Sequence, residues 1–342
     1  MLHSIQSLQH GCDQPYQSAI IMNDPQIDLS IIIVTWNAIQ FTRECLKSLH
    51  SYKDDPKVEI IVVDNASTDG TQAMVEQDFS WVQLIRNCSN LGFAKANNIG
   101  MAASSGEYVC LVNSDVKVPE GCLATMEAYM KANPSVGMAG PQMECPNGLI
   151  GRSYMRFPTV WRCFCNALGL HRAFSSSKRL NGIMMTDFNN TQTAEVDVLN
   201  GWFVMVRRKA LEQVGLLDEQ FFMYGEDIDW SYRFERSGWK RVYLADACAF
   251  HYGGGSSRLA PTRFYIEMKR ANSQFFSKHH GNLGFYGFMA TTCLHEVIRV
   301  MGNVTVFIAK KAERPSAARK IERSLSCLQW LFRRGSLPGV ST

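Results

Sequence analysis

One acidic triplet in the sequence has the residue types that bind a metal ion. The triplet Asn-Ser-Asp at residues 113–115 follows an apolar run at residues 108–112, which is typical of a strand buried on both faces. Asp115 is therefore expected at the carboxyl end of a core strand, where open α/β sheets bind ligands. Its carboxylate suits a divalent cation that carries phosphates. Asn, Ser and Asp are also ordinary turn residues, so the triplet alone is equally compatible with a turn.

A second acidic cluster lies at the start of a predicted helix. Glu226, Asp227 and Asp229 follow Gly225. Three carboxylates this close are costly unless solvent, cations or hydrogen bonds separate them. In a helix that begins near Glu226, Asp229 can pair with Arg233 on one face. That pairing leaves Asp227 on another face, directed toward a substrate, although a charged first turn is also a common way to stabilise a helix start.

A histidine and a tryptophan are further candidates. His251 lies just before a run of three glycines and two serines, and such a loop can close over phosphates. A single histidine is more often structural. Trp202 follows Gly201 in a predicted strand, where its flat ring can form a wall under a sugar, although a tryptophan is more often part of a core.

The elements that position these residues alternate between strands and helices. A buried strand at residues 29–34 precedes an amphipathic helix at 41–52, and a second strand at 58–63 precedes another helical segment. This alternation predicts a parallel sheet in a doubly wound fold. Asp64 and Asp69 then lie where a nucleotide base and ribose bind, while the Ser-Thr-Asp-Gly stretch around Asp69 also suits a helix cap.

The charge distribution is uneven along the 342 residues. Residues 256–342 carry 14 Lys and Arg but 4 Asp and Glu, whereas the preceding part of the chain is acidic. A basic tail indicates an anionic partner. No RNA-binding or zinc-finger pattern accompanies it, so we expect a membrane surface and no nucleic acid. Apolar residues mixed with Lys and Arg beyond residue 310 suit an interfacial helix, and a plain packing helix is the alternative.

Cysteine usage and hydropathy favour an intracellular protein. The 11 cysteines are scattered, and Cys163 and Cys165 lack the spacing of a metal or redox site, so we expect reduced thiols. The sequence has no signal-peptide pattern and no uninterrupted apolar stretch of about 20 residues, which predicts neither secretion nor bilayer spanning. A cytoplasmic protein, peripheral at the inner face of the cell membrane, is therefore expected.

Several motifs, in their order along the chain, resemble those of a known protein family. The motifs are Thr35-Trp-Asn37, Val63-Asp-Asn-Ala-Ser-Thr-Asp-Gly70, Asn90-Leu-Gly-Phe-Ala94, Asn97-Asn-Ile-Gly100 and Asn113-Ser-Asp115. Over residues 29–255 the chain resembles family 2 glycosyltransferases of the GT-A fold, in particular the rhamnosyltransferase-like branch. The resemblance implies an α/β fold, a doubly wound and mixed but mostly parallel sheet, with a helical C-terminal appendage. The expected domains are an extension at 1–28, the glycosyltransferase domain at 29–257 and a basic helical region at 258–342.

The resemblance also implies roles for individual residues. Asp64 is expected to recognise the nucleobase, and Asp115 to bind Mg²⁺ or Mn²⁺ with help from His251. The motif Gly-Glu-Asp-x-Asp-Trp matches the acceptor site of the family, which makes Asp227 the general base. The other residues expected at the donor are Thr35, Asn37, Asn65, Ser67, Asn90, Gly92, Lys95, Asn98 and Asn113. Those expected at the acceptor are Trp202, Glu226, Asp229 and Trp230.

The function implied is inverting transfer of a sugar from a nucleoside diphosphate donor. The expected donor is dTDP-rhamnose, and the expected acceptor is a glycan or polyprenyl-linked molecule in cell-surface polysaccharide synthesis. A nucleotidyltransferase is the alternative within enzymes, but no basic Gly-rich loop for a triphosphate lies near residue 36. A catalytically silent nucleotide-sugar-binding membrane scaffold is the alternative outside enzymes, and the set Asp115, Asp227 and His251 disfavours it.

Overall fold

A computed structural model of the chain describes residues 27–185, 187–188, 190–253 and 260–333. Most of the expected extension at 1–28 and the end of the basic tail therefore lie outside the described residues. Two compact units are present. The first comprises the chain up to Tyr154 together with Asn190–Phe222 and Glu226–Ser256. The second comprises Met155–Asn189, Met223–Gly225 and the chain from Ser257 onward, so it includes a segment that the sequence-based boundaries assign to the first domain.

Strands and helices alternate along the first half of the chain. In order they are β1 (Leu29–Thr35), α1 (Ile39–Ser48), β2 (Val58–Asp64), α2 (Thr71–Asp78), β3 (Gln83–Arg86), α3 (Phe93–Ala102), β4 (Tyr108–Asn113), β5 (Val116–Lys117), α4 (Cys122–Ala132), β6 (Val136–Glu144), β7 (Ile150–Gly151) and β8 (Tyr154–Met155). The rest of the described chain contains α5 (Val160–Ala167), α6 (Leu170–Ala173), β9 (Ala194–Glu195), β10 (Val198–Leu199), β11 (Phe203–Arg207), α7 (Arg208–Val214), α8 (Glu226–Arg236), β12 (Lys240–His251), α9 (Pro261–Ala309) and α10 (Arg314–Phe332).

The main sheet of the first unit has the strand order β3-β2-β1-β4-β11-β6-β12-β5. Strand β1 pairs in parallel with β2 and β4, and β2 pairs in parallel with β3. Strand β11 runs antiparallel to β4 and β6, whereas β6 and β12 are parallel. The predicted mixed, doubly wound sheet is confirmed. The predicted helical C-terminal region is confirmed as well.

The central strands are buried on both faces. Ile31, Ile32 and Ile33 are fully buried in succession, as a continuous apolar run in a parallel sheet requires. In the register of β1, Thr35 lies beside Asp64 of β2, and Val34 lies beside Asn113 of β4. Three strands therefore end at the same edge of the sheet, and their polar end residues lie close together.

A glycine before β4 allows two chain segments to come close. A Cβ added to Gly106 would lie 2.7 Å from the backbone nitrogen of Ser30. The Gly106 N–H instead donates to Ser30 Oγ at 2.7 Å. This position therefore requires the absence of a side chain.

The second unit is built around α9 and α10. Gly281 has φ 61° and ψ −163°, a break that divides α9 into two helical halves. Cys327 and Trp330 of α10 are buried against Ile266 of α9. Trp330 is thus a packing residue, which favours the packing-helix alternative for this part of the basic tail.

Within the described residues, α9 has the length and composition of a helix that can cross a membrane. Buried helices of soluble proteins can satisfy the same two criteria, so this finding is weak evidence for spanning.

Gly106→Ala should destabilise the first unit, because the new methyl group would collide with backbone that cannot move away. Overpacking of this kind costs about 1–3 kcal/mol in the free energy of unfolding. Gly302→Ala is the matched control, because Gly302 lies in α9 with open space around its Cβ position. Alanine should stabilise that helix by up to about 1 kcal/mol. Chemical denaturation that gave both variants the same change would contradict the close approach at Gly106.

Candidate functional site

Asp64 is the last residue of β2. One of its carboxylate oxygens accepts hydrogen bonds, and the other has no hydrogen-bond partner among the described residues. Its Oδ1 accepts hydrogen bonds from the Ser67 N–H at 2.9 Å and the Gln72 amide at 2.6 Å. Its Oδ2 is buried and has no hydrogen-bond partner among the described residues. A buried acceptor without a partner is costly, and a ligand that donates a hydrogen there would remove that cost.

The loop beside Asp64 is fixed by reciprocal hydrogen bonds. The Asn37 N–H donates to Ser67 Oγ at 2.9 Å, and Asn37 Oδ1 accepts from the Thr68 N–H at 2.8 Å. Asn37 has φ 47°, a left-handed conformation that asparagine tolerates better than most residues. Ser67, Thr68, Gln72 and Arg86 line an open depression next to this loop. Of the predicted donor residues, Asn37, Asp64 and Ser67 thus lie together.

Asp69 acts as a local anchor. Its carboxylate accepts from the Ile39 N–H at 3.0 Å and from the Thr71 N–H at 3.1 Å. Burial acts to raise the pKa of Asp69, but the hydrogen bonds from Thr71 and Ile39 outweigh burial and leave the pKa lowered. The capping alternative is therefore the observed role of this carboxylate.

Several other predicted donor residues bind the protein itself. Asn65 donates to Asn90 Oδ1 at 2.9 Å and to the Gly92 carbonyl at 3.2 Å, and it accepts from the Leu91 N–H at 3.0 Å. Gly92 has φ 84°, and an added Cβ would lie 2.5 Å from the Phe222 carbonyl. Asn65, Asn90 and Gly92 therefore shape the loop into α3.

Thr35 and Asn98 are corrections to the predicted donor set. Thr35 is 1% exposed, and its hydroxyl lies 2.7 Å from that of Thr42. The Asn98 amide binds both the carbonyl and the N–H of Leu217, at 2.9 and 3.1 Å. Both side chains are used inside the protein and cannot also contact a ligand. Lys95 stays half-exposed at the start of α3, 3.8 Å from Glu219.

Asp115 and His251 meet at the far end of the same sheet edge. His251 Nε2 lies 3.2 Å from Asp115 Oδ1. The approach is set by backbone pairing, because β5 and β12 place His251 beside Val116, and the Tyr252 N–H donates to the Asp115 carbonyl at 3.0 Å. Asp115 is 9% exposed, so this pair is partly shielded from water.

The Trp202 ring packs against the His251 ring. The two rings stack with centroids 5.1 Å apart and an interplanar angle of 19°. Trp202 is only 4% exposed, which corrects the expectation that it forms an open wall for the acceptor sugar. Its carbonyl accepts from the Asn113 N–H at 2.9 Å, so the same residue also fixes the end of β4.

The Asp115 and His251 pair offers one oxygen and one nitrogen ligand. No cluster of three or more metal-ligating side chains occurs in the part of the chain that the structure describes. A cation here would thus take its remaining ligands from water and substrate, which is how Mg²⁺ is commonly held at phosphate sites. The two side chains fit such an ion.

At the acidic cluster, Asp229 and Trp230 have structural roles. Asp229 is fully buried and accepts from Arg233 Nε at 2.8 Å, which confirms the predicted pairing. The Trp230 indole donates to the Gly215 carbonyl at 2.9 Å and is 2% exposed. Both side chains are thus bonded within the protein, which gives no support to their predicted contacts with an acceptor.

Asp227 is the partly exposed carboxylate of the three. Its Oδ2 accepts from the Gly201 N–H at 3.2 Å, and its Oδ1 accepts from the Ile228 N–H at 2.9 Å. Gly201 and Trp202 are consecutive, so one short segment contacts both Asp227 and His251. The segment 201–202 therefore connects the Asp227 carboxylate with the pair Asp115 and His251.

Glu226 is buried beside Asp227. It is 5% exposed, and its Oε2 has no hydrogen-bond partner among the described residues. Glu226 lines a small, mostly apolar cavity together with Phe93, Leu217 and Trp230. Burial, with a contribution from the negative charge of Asp227, raises the pKa of Glu226 well above its usual value, which favours the protonated form of this side chain. No sequence pattern distinguished Glu226 from its acidic neighbours; its burial together with the lack of a partner for Oε2 among the described residues does.

Comparison with known proteins agrees with this geometry. The family model described as Glycosyl transferase family 2 matches residues 30–215. An N-acetylglucosaminyl-diphospho-decaprenol L-rhamnosyltransferase from Mycobacterium tuberculosis is 28% identical over 267 residues, which cover 74% of this chain and 85% of that protein. A low-salt glycan biosynthesis hexosyltransferase, Agl10, from Haloferax volcanii is 27% identical over 215 residues, which cover 61% of this chain and 62% of that protein.

A solved structure shares the fold. The mannosyltransferase PcManGT from Pyrobaculum calidifontis, in complex with GDP-Man and Mn²⁺, superposes with a TM-score of 0.52 at 17% identity, covering 92% of this chain and 90% of that one. This likeness agrees with the predicted GT-A fold. Since the family model matches more than half of the residues, the chain belongs to glycosyl transferase family 2.

Proposed function

We propose that this protein is an inverting, metal-dependent glycosyltransferase that moves rhamnose from dTDP-rhamnose onto a lipid-linked glycan acceptor in cell-surface polysaccharide synthesis. It works in the cytoplasm at the inner face of the cell membrane. One observation supports the proposal: the consecutive residues Gly201 and Trp202 contact Asp227 and His251, so one short segment connects the Asp227 carboxylate with the Asp115 and His251 pair. The Mycobacterium tuberculosis relative, a rhamnosyltransferase named for a diphospho-decaprenol acceptor, supports the choice of donor and acceptor.

The donor base binds at Asp64. The buried, unpaired Oδ2 accepts the ring N–H of the base, while Ser67 and Gln72 hold Oδ1 in place. Thymine and uracil carry an N–H in the ring that matches this acceptor. The adjacent depression lined by Thr68 and Arg86 provides space for the nucleoside.

Asp115 and His251 hold the divalent cation. When bound, a Mg²⁺ or Mn²⁺ ion offsets the negative charge of the diphosphate leaving group. Asp115 supplies the negative charge of the site, and His251 supplies a nitrogen ligand. The Trp202 ring and the pairing of β5 with β12 keep the imidazole in position.

Asp227 removes the proton from the attacking acceptor hydroxyl. A hydroxyl is a poor nucleophile at neutral pH, so a direct displacement needs a positioned base. The Gly201 N–H orients the carboxylate from one side. Burial raises the pKa of Glu226 beside it, which favours a neutral Glu226 and a single negative charge at this point, on Asp227. Attack from the face opposite the diphosphate inverts the configuration of the sugar.

Transfer itself is tested with purified protein, dTDP-rhamnose, Mn²⁺ or Mg²⁺ and N-acetylglucosaminyl-diphospho-polyprenol. Mass spectrometry should detect a product heavier by one deoxyhexose, and NMR should show an inverted anomeric centre. Tight donor binding without either transfer or donor hydrolysis would instead establish the catalytically silent scaffold.

Asp227→Asn should lower turnover by about 10²–10⁴-fold with donor affinity nearly unchanged, because it keeps the shape of the side chain and removes the base. Asp229→Asn is the matched comparison. It should lower the free energy of unfolding, since it weakens the buried pair with Arg233. Near-normal turnover by a folded Asp227→Asn protein would contradict the assignment of the base.

Asp115→Ala should remove the metal-dependent part of donor affinity, because the diphosphate charge then lacks its counter-ion. Calorimetric titration of dTDP with and without Mn²⁺ measures this part directly. Asp246→Ala is the control, since Asp246 is an exposed aspartate on the same strand as His251. Unchanged metal dependence in Asp115→Ala would overturn the metal site.

Glu226→Gln should make the protein more stable at high pH and leave it nearly unchanged at low pH. The folded-state pKa of Glu226 lies above its ordinary value of 4.5. The stability that comes from holding this proton is therefore complete below about pH 4.5 and is lost as the pH rises toward the folded-state pKa. Glutamine has no proton to lose, so the two melting temperatures should diverge as pH increases from 4 to 8. Parallel melting curves would show that Glu226 ionises normally.

A further inference from the structure

The second half of α9 has an exposed, uncharged face. Leu283, Val297 and Val304 are separated from one another by multiples of seven residues. Met301 and Ile308 form a second set, and they are also seven residues apart. Seven residues are two helical turns, so each set lies along one line of the helix. Leu283 is 88% exposed, Met301 65% and Ile308 70%. The remaining exposed residues from 283 to 308 are also uncharged: Tyr286, Ala290, Ile298, Gly302, Thr305 and Phe307.

The charged residues of this segment lie on the opposite side. Glu296 is fully buried and accepts a hydrogen bond from the Tyr265 hydroxyl. Arg299 also donates to that hydroxyl, at 3.0 Å, and its guanidinium lies 5.3 Å from the centroid of the Tyr265 ring. Arg323 of α10 lies over the same ring at 4.8 Å. The charges that argue against bilayer spanning in the sequence are thus enclosed between α9 and α10, and the outward face remains apolar.

Basic residues flank the apolar face at both ends. Lys278 is exposed just before the break at Gly281, and Lys310, Lys311 and Arg314 are exposed just after α9 ends. Lys310 pairs with Glu313 at 3.0 Å, but the positive charges outnumber this one acidic residue.

The flanking charges distinguish between two kinds of partner. A large exposed apolar patch marks either a protein interface or a membrane contact. In a symmetric dimer through this face, a parallel arrangement would bring Lys310 and Lys311 close to their own counterparts. An antiparallel arrangement would bring Lys278 close to Lys310. Either arrangement opposes like charges, whereas the phosphates of anionic lipids attract both ends.

We propose that this face of α9, residues 283–308, lies in the plane of an anionic membrane and holds the enzyme there. The apolar side chains enter the boundary between headgroups and acyl chains, and the flanking lysines and arginine contact lipid phosphates. This inference rests on the proposed function only in that a lipid-linked acceptor requires the enzyme at a membrane. The surface belongs to the second unit, whereas the donor and base residues belong to the first.

The test is flotation of the full-length protein with vesicles of phosphatidylcholine and phosphatidylglycerol. The double variant Met301→Glu/Ile308→Glu should lose at least about tenfold in the vesicle binding constant, because two apolar side chains no longer enter the membrane. Leu149→Glu is the matched control, since Leu149 is also 65% exposed but lies in the first unit. Lys310→Glu/Lys311→Glu should weaken binding to these vesicles and leave binding to pure phosphatidylcholine unchanged.

Truncation at residue 310 is avoided because it removes Cys327 and Trp330, which pack in the core of the second unit. Hydrogen exchange on the unmodified protein provides an independent measurement, and vesicles should protect residues 283–308. Equal flotation of the double variant and the Leu149→Glu control would overturn the proposal. A loss of dimer in sedimentation without a loss of flotation would also overturn it, in favour of a second copy. Calorimetric binding of dTDP with Mn²⁺ is measured in parallel, so a failure of membrane binding is distinguished from a failure of the donor site.

Discussion

The register between β1 and its two parallel neighbours is the constraint on which the site depends. Thr35 lies beside Asp64, and Val34 lies beside Asn113, so three strands end together. A shift of one residue in either pairing would turn the polar end residues to the other face of the sheet. The buried isoleucines of β1 prevent that shift, because it would also displace the apolar core on both faces. The packing of the core therefore fixes the geometry of the polar edge.

The site retains polar groups that folding alone would not favour. Asp64 Oδ2 and Glu226 Oε2 are buried without hydrogen-bond partners among the described residues. Asp64 is bonded to Ser67 and Gln72, which line the open depression, and Glu226 is the neighbour of Asp227. Such groups cost stability unless a ligand or a proton satisfies them. Around them, the segment 201–202 connects the Asp227 carboxylate with the His251 imidazole. Functional sites are where a chain departs from the rules that stabilise its core.

Much of the fold was predictable because apolar runs and polar strand ends are local patterns. The pairing of Asp229 with Arg233 was predictable for the same reason, since helical spacing fixes it. The direction of an amide or hydroxyl depends on its neighbours in the fold: Thr35 contacts Thr42 in the following helix, and Asn98 binds Leu217, which is distant in the sequence. The burial of Trp202 and the exposed face of α9 depend likewise on which side a neighbouring element covers.

The central claim is that Asp115 and His251 share one cation at the diphosphate of the donor. Crystals grown with dTDP and Mn²⁺ test it most directly, through anomalous diffraction measured near the manganese absorption edge. We expect an anomalous peak within coordination distance of Asp115 Oδ1 and His251 Nε2 and in contact with the diphosphate. Nucleotide bound at Asp64 with the manganese peak elsewhere, or with no peak at saturating Mn²⁺, would contradict it.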